Sequence, residues 1–115
     1  MVEIYEYKGE GYKPLVDYES WRVAVLRYSK GFTGLKELER HLETDEVFVL
    51  LTGEAALITE ESDGIREWKM ECGKIYNVLK GVWHSIIVTP DANVLIVENR
   101  NTGTENTERR HLSAE

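Results

Sequence analysis

Four side chains stand out for what they could do together: Glu39, His41, Glu46 and His84. In Glu39-Arg40-His41 a carboxylate and an imidazole are two residues apart, so on an extended chain both point to one face. Glu46 heads the apolar run Glu46–Thr52 and stands five residues beyond His41, an odd step that would turn it to the opposite face of a continuous strand. Glu43-Thr44-Asp45 is a polar, turn-like interruption that can reset the register and aim Glu46 back beside His41. His84 follows Lys80-Gly81-Val82-Trp83 and alternates with Ile86 and Val88, so its face is otherwise apolar and looks into the core. Two imidazoles and one or two carboxylates on inward positions are the donor set of a divalent first-row metal. The two-His, one-carboxylate set suits Fe(II), and N/O sites also take Mn, Ni, Cu or Zn. The competing reading makes Glu39 a solvated charge and the histidines hydrogen-bonded core residues.

Other chemistries are poorly supplied. Cys72 sits beside Gly73 in a turn with Lys74 as its one basic neighbour, a poor setting for an activated thiolate. Ser85 abuts His84 but lies on the opposite strand face, and there is no G-x-S-x-G, so a Ser-His-Asp arrangement fails. Trp83 should face away from His84 and pack. Trp21 and Trp68 also read as packing residues, and Phe48, Leu50, Tyr76 and Ile86 are candidates for the apolar lining of the interior. His111 lies in a polar C-terminal stretch and reads as a solvated residue, not a ligand.

The elements that must position these residues are short runs rich in Val, Ile, Tyr and Trp. Trp21–Tyr28, Glu46–Thr52, Ala55–Thr59, Ile65–Met70, Lys74–Leu79, Val82–Thr89 and Asn93–Asn99 recur about every ten residues between Gly-, Pro- and Asp-containing breaks, which predicts an all-β sandwich or barrel. Gly53-Glu54 reads as a hairpin turn. Gly34–His41 carries good helix formers and is the one candidate helix, with a polar strand as the competing assignment. Beyond residue 100 there is almost no apolar content, and residues 101–115 read as a loosely ordered tail to a single domain over residues 1–100.

The whole chain has 115 residues, 42% of them apolar, and a formal net charge of −7. That length excludes a two-lobed enzyme and a complete (β/α)₈ barrel, which needs about 250 residues. The acidic balance argues against nucleic acid and anionic membrane surfaces as partners. One Cys gives no internal disulfide and no Cys cluster for zinc. The longest apolar run, Val47–Leu51, falls far short of the ~20 residues that span a bilayer. The first residues, Met-Val-Glu-Ile-Tyr-Glu-Tyr, lack the features of a secretory signal, and the expectation is a cytoplasmic domain.

Gly34…Glu39-Arg40-His41-(x₄)-Glu46-(x₆)-Gly53 resembles the first cupin motif, G-x₅-H-x-H-x₃₋₄-E-x₆-G, with Glu39 where its first His is expected and the leading Gly one residue out of step. Gly73-(x₅)-Leu79-Lys80-Gly81-(x₂)-His84-(x₃)-Val88 is similar to the second motif, G-x₅-P-x-G-x₂-H-x₃-N, with Leu79 and Val88 in place of the Pro and the Asn. The resemblance covers about residues 34–88 and implies a cupin-type double-stranded β-helix, a jelly-roll barrel with its site in the barrel mouth. It implies His41, Glu46 and His84 as metal ligands, with Glu39 as a non-standard fourth ligand or a general base. It further implies a homodimer pairing N-terminal strands or sheet faces. Two functions are then expected: a metal-dependent protein acting on a small polar or anionic metabolite, or a non-enzymatic, metal-free cupin that binds such a ligand. Isomerisation, lyase chemistry and dioxygenation are equally compatible with these residues.

Overall fold

The alternating runs become strands. A computed structural model describes residues 1–112, among which there are ten: β1 (Gly11–Tyr18), β2 (Trp21–Arg27), β3 (Glu37–His41), β4 (Glu46–Thr52), β5 (Ala55–Glu61), β6 (Gly64–Lys69), β7 (Ile75–Val78), β8 (His84–Val88), β9 (Asn93–Asn99) and β10 (Thr107–His111). One sheet has the order β1-β2-β9-β4-β7 and the other β10-β3-β8-β5-β6, every pairing antiparallel. Consecutive strands repeatedly change sheet, which is the jelly-roll way of covering two sheets with each other.

The period-2 pattern decides what faces inward. On β9, Val94, Ile96 and Glu98 are buried and alternate with half-buried Asn93, Leu95, Val97 and Asn99. Glu46, Phe48 and Leu50 of β4 and His84, Ile86 and Val88 of β8 continue that interior from the two sheets. Ala24, Leu26, Leu57 and Val78 join the same core. Fully burying a Leu or Phe stabilises by about 1.5–3 kcal/mol, so this layer is the fold's main driving term. The exceptions in the layer, Glu46, His84 and Glu98, sit together at one end of the barrel interior.

Three expectations are corrected. Gly34–His41 is not helical: Glu37–His41 is β3, the polar-strand alternative, because its backbone pairs with β10 and its Glu39 pairs with His84 of β8. Gly53-Glu54 is not a hairpin turn within one sheet. β4 and β5 lie in different sheets, and the link between them carries the chain across. Gly53 is required there: its φ is +76°, and a Cβ would come within 2.6 Å of the Ala92 Cα on the neighbouring turn.

The third correction concerns the polar tail, of which Thr107–His111 is β10, paired along its length with β3. A strand on a sheet edge needs no apolar face when its charges find partners. Arg40 pairs with Glu108, Arg109 with Glu37 and Glu39, and Arg110 with Glu60. Outside the barrel, Arg40 and Arg110 both stack on Trp83, 4.6 and 4.9 Å from its ring centroid, so Trp83 does face away from the interior. His111 is exposed. Residues 113–115 of the expected tail lie outside the described residues.

Candidate metal centre

The crossing from one sheet to the other explains how His41 and Glu46 meet. His41 ends β3 and Glu46 begins β4 on the opposing sheet, so the parity of one strand does not apply and both side chains look into the space between the sheets. The crossing is fixed by its polar residues. Asp45 accepts hydrogen bonds from the Asn77 side chain and the Lys80 N–H, Thr44 Oγ accepts from the Asn99 N–H, and the Gly81 N–H donates to the His41 carbonyl at 2.8 Å. These contacts lock the β3–β4 turn to the loop that delivers His84. Its neighbours hold the Asp45 carboxyl below the usual range, the Asn77 hydrogen bond first.

The result is a tight cluster. One ligand atom from each of Glu39, His41, Glu46 and His84 lies within 4.8 Å of all the others. His41 Nε2 is 2.9 Å and His84 Nε2 3.0 Å from the same Glu46 oxygen, Oε1. Glu39 Oε1 stands 3.7 Å from His41 Nε2, while its Oε2 pairs with Arg109 at 2.9 Å. His41, Glu46 and His84 are buried and Glu39 is half-buried. The imidazole rings meet edge to face with centroids 5.4 Å apart, and Phe48 closes on the His84 ring.

The hydrogen bonds on the far side of each ring determine what the near side can do. His84 Nδ1 is 2.9 Å from the Val82 carbonyl, which only accepts, so Nδ1 carries a proton. The neutral ring then turns a lone pair at Nε2 toward a carboxylate oxygen. That contact is favourable only with a positive charge between the two, either a second proton or a bound cation. His41 is held likewise, with Nδ1 2.9 Å from the Thr107 hydroxyl. Such outward bonds are what orients metal-binding imidazoles.

Protonation behaviour agrees with this picture. Burial pushes His41 and His84 down, but the hydrogen bond and charge of Glu46 outweigh it and both pKa values rise above the usual histidine value. Burial alone would raise Glu46. The two histidines overcome that and hold it well below the usual carboxylate range.

The cluster opens into a cavity of about 400 Å³ between the sheets, with Phe48, Ile86 and Ile96 as apolar wall and Lys36 and Arg109 as cations. Tyr12, Arg22 and Glu98 also line it, and they and Thr107 are functional candidates that the sequence reading missed. The signal for Glu98 was present: it shares the alternation of Val94 and Ile96. Tyr12 and Thr107 lay in segments without a strong apolar pattern, and their strands were not predicted. Of the other singled-out residues, Phe48 and Ile86 line this cavity. Leu50 is in the core, and Tyr76 borders a separate cavity beside Trp68 and Ile75.

Comparison with solved structures shows the fold. A cupin-2 domain protein of Shewanella frigidimarina superposes with a TM-score of 0.64 at 18% identity, over 82% of this chain and 85% of that one. KdgF from Halomonas sp. gives 0.61 at 12% identity, over 79% and 78%. Streptomyces PAC13, in a structure with uridine, gives 0.68 at 6% identity, over 98% and 95%. No family model matches the chain, and no curated protein sequence does. The architecture is the cupin jelly roll.

Proposed function

We propose that the chain is a metal-dependent cupin that binds, and acts on, a small polar or anionic metabolite in the barrel. His41, Glu46 and His84 hold the ion, with Glu39 as fourth ligand or as a general base beside it. The observation that carries this reading is the convergence of His41 Nε2 and His84 Nε2 on Glu46 Oε1, three electron-pair donors with no donated proton that neutral rings can supply at the His84 contact. Two carboxylates and two neutral imidazoles also balance a divalent charge, and mixed N/O donors suit Fe, Mn, Ni or Zn. Such an ion supplies Lewis acidity toward a bound carboxylate or carbonyl.

The chain's own residues do the remaining work. Thr107 and the Val82 carbonyl keep both Nε2 atoms aimed inward. Phe48, Ile86 and Ile96 keep water from one side of the cavity, and Lys36 supplies positive charge for an acidic ligand. Glu39 turns Oε1 toward the cluster and Oε2 to Arg109, a position that supports its reading as fourth ligand or as general base. The PAC13 structure with uridine supports a cavity of this fold accepting a small polar molecule. A homodimer and a cytoplasmic location complete the reading. The dimer is supported by apolar side chains exposed along the N-terminal segment, the location by the lone Cys72.

Elemental analysis of protein purified without added metal or an affinity tag tests the proposal. The expected result is close to one equivalent of a first-row divalent metal, falling below ~0.1 equivalent in His84→Ala. Less than ~0.1 equivalent in the unaltered chain, unchanged by His84→Ala, would overturn it in favour of a metal-free ligand-binding cupin.

A further inference from the structure

The metal reading makes no use of the second cavity. It offers about 380 Å³ beside β6 and β7, the edge strands that end the two sheets. That volume falls in the range of small-molecule sites. Trp68 and Tyr76 give it aromatic walls, joined by Leu57 and Val78. Thr59 supplies a directed polar atom. It is 8% exposed, its hydroxyl accepts the Trp68 indole N–H at 3.0 Å, and its own proton goes to no acceptor among the described residues. A buried hydroxyl with an unspent proton is completed by an acceptor atom. Among the described residues no cation lines this cavity and Glu61 is its one charge, while Arg66 is engaged on the Trp68 ring, 3.6 Å from its centroid. An acid is therefore disfavoured here, the reverse of the preference that Lys36 gives the cavity at the cluster.

One stretch of backbone serves both sites. Leu79 and Val82 line the second cavity, and the chain between and beside them grips the cluster. The Gly81 N–H donates to the His41 carbonyl at 2.8 Å, and the Val82 carbonyl accepts from His84 Nδ1 at 2.9 Å. Asn77 lines the second cavity as well, and its amide holds Asp45 in the crossing that aims Glu46. Thr59 is the register partner of His84 between β5 and β8. Residues 79–83 are thus fastened to the cluster on one side and border open space on the other. We propose that the second cavity is an effector site for a neutral aromatic molecule bearing one acceptor oxygen, and that its occupancy reaches His84 through residues 79–83. A ligand packed against Leu79 and Val82 restricts that stretch and with it the imidazole that the Val82 carbonyl steers, so occupancy tightens metal binding. The effect on metal affinity rests on the metal-dependent reading above, but the binding of the aromatic molecule and its effect on His84 do not.

Heteronuclear NMR of the intact protein, stripped of metal and titrated with acetophenone, tests this. The Trp68 indole N–H signal, assigned with Trp68→Phe, should shift and saturate while that of Trp21 stays. The His84 ring signals should follow with the same concentration dependence, and those of exposed His111 should not. Benzoate, of like shape but charged, should fail to saturate the Trp68 signal. In Thr59→Val acetophenone should bind about fivefold more weakly, the scale of one neutral hydrogen bond, with ethylbenzene unaffected. The Trp68 N–H freed by that change points at the new methyl group and not at the ligand. With metal bound, saturating acetophenone should tighten metal affinity about fivefold in competition with a chromogenic chelator, and metal should tighten acetophenone binding by the same factor. The unaltered protein decides the matter if Thr59→Val does not fold. No saturable shift at Trp68, equal saturation by benzoate, an acetophenone affinity unchanged in folded Thr59→Val, or saturation at Trp68 that leaves His84 unmoved overturns the proposal. The two readings fail separately. A protein that takes up no metal yet shows linked shifts at Trp68 and His84 loses the metal and keeps the effector site, and a metal-binding protein without those shifts does the reverse.

Discussion

At the scale of residues, the cluster of His41, Glu46 and His84 sets protons against a metal ion. Both histidines have raised pKa values, so in the metal-free protein their stabilising contribution is complete below the ordinary histidine value of 6.5 and is lost as pH rises through their raised values. Glu46 is depressed, so its contribution is present above the ordinary 4.5 and is lost as pH falls through its lowered value. Metal-free protein should thus be most stable between about pH 4.5 and 6.5, with its melting temperature falling as pH is raised toward 8. Metal binding requires neutral imidazoles, so its affinity should move the other way and strengthen over the same rise. Melting curves with and without divalent metal across that range check both trends. Metal-loaded and metal-free curves that shift in parallel would contradict the assignment of these three residues as ligands.

Among the elements, β10 is the one whose role differs most from its sequence. Thr107 steers His41 from a strand that carries no apolar side chain, and Arg109 holds the outer oxygen of Glu39. Thr107→Val removes the hydroxyl at nearly constant volume. It should lower metal affinity by about tenfold while leaving the fold intact, the usual scale for losing the outer hydrogen bond of a liganding imidazole. Competition with a chromogenic chelator reads this, and an unchanged affinity would reduce Thr107 to a packing residue. What was legible in the sequence follows the same division. β4 and β9 were found with their ends because apolar alternation is strong there, and His41, Glu46 and His84 were found because their spacing is distinctive. β1 and β10 were missed although the edge strands β6 and β7 were found: β10 is wholly polar and held by backbone pairing and ion pairs, and β1 carries Pro14 and a register shift that break its alternation. The crossing at Gly53-Glu54 was misread because a short Gly turn looks the same whether the next strand joins the same sheet or the opposite one.

For the whole molecule, the N-terminal segment before β1 is the unsettled surface. Val2 and Ile4 are 84% and 90% exposed and Tyr5 50%, in an extended stretch that pairs with neither sheet. An unpaired extended segment with apolar side chains is a template for association. The proposed homodimer predicts a scattering mass near twice 13.3 kDa at micromolar concentration. Deletion of residues 1–8 should return it to one chain without altering the far-ultraviolet spectrum. A full-length chain that scatters as a monomer rejects the dimer.

The position of β10 also bears on the order in which the molecule is made. His41, Glu46 and His84 leave the ribosome well before Thr107 and Arg109, and β3 is an open edge until β10 arrives. Through that interval the imidazole of His41 lacks its outer restraint and Glu39 lacks its counter-charge. Tight, oriented binding at the cluster therefore waits for β10, and a bound ion would act as a seal on the closed sheet instead of a scaffold around which the barrel begins.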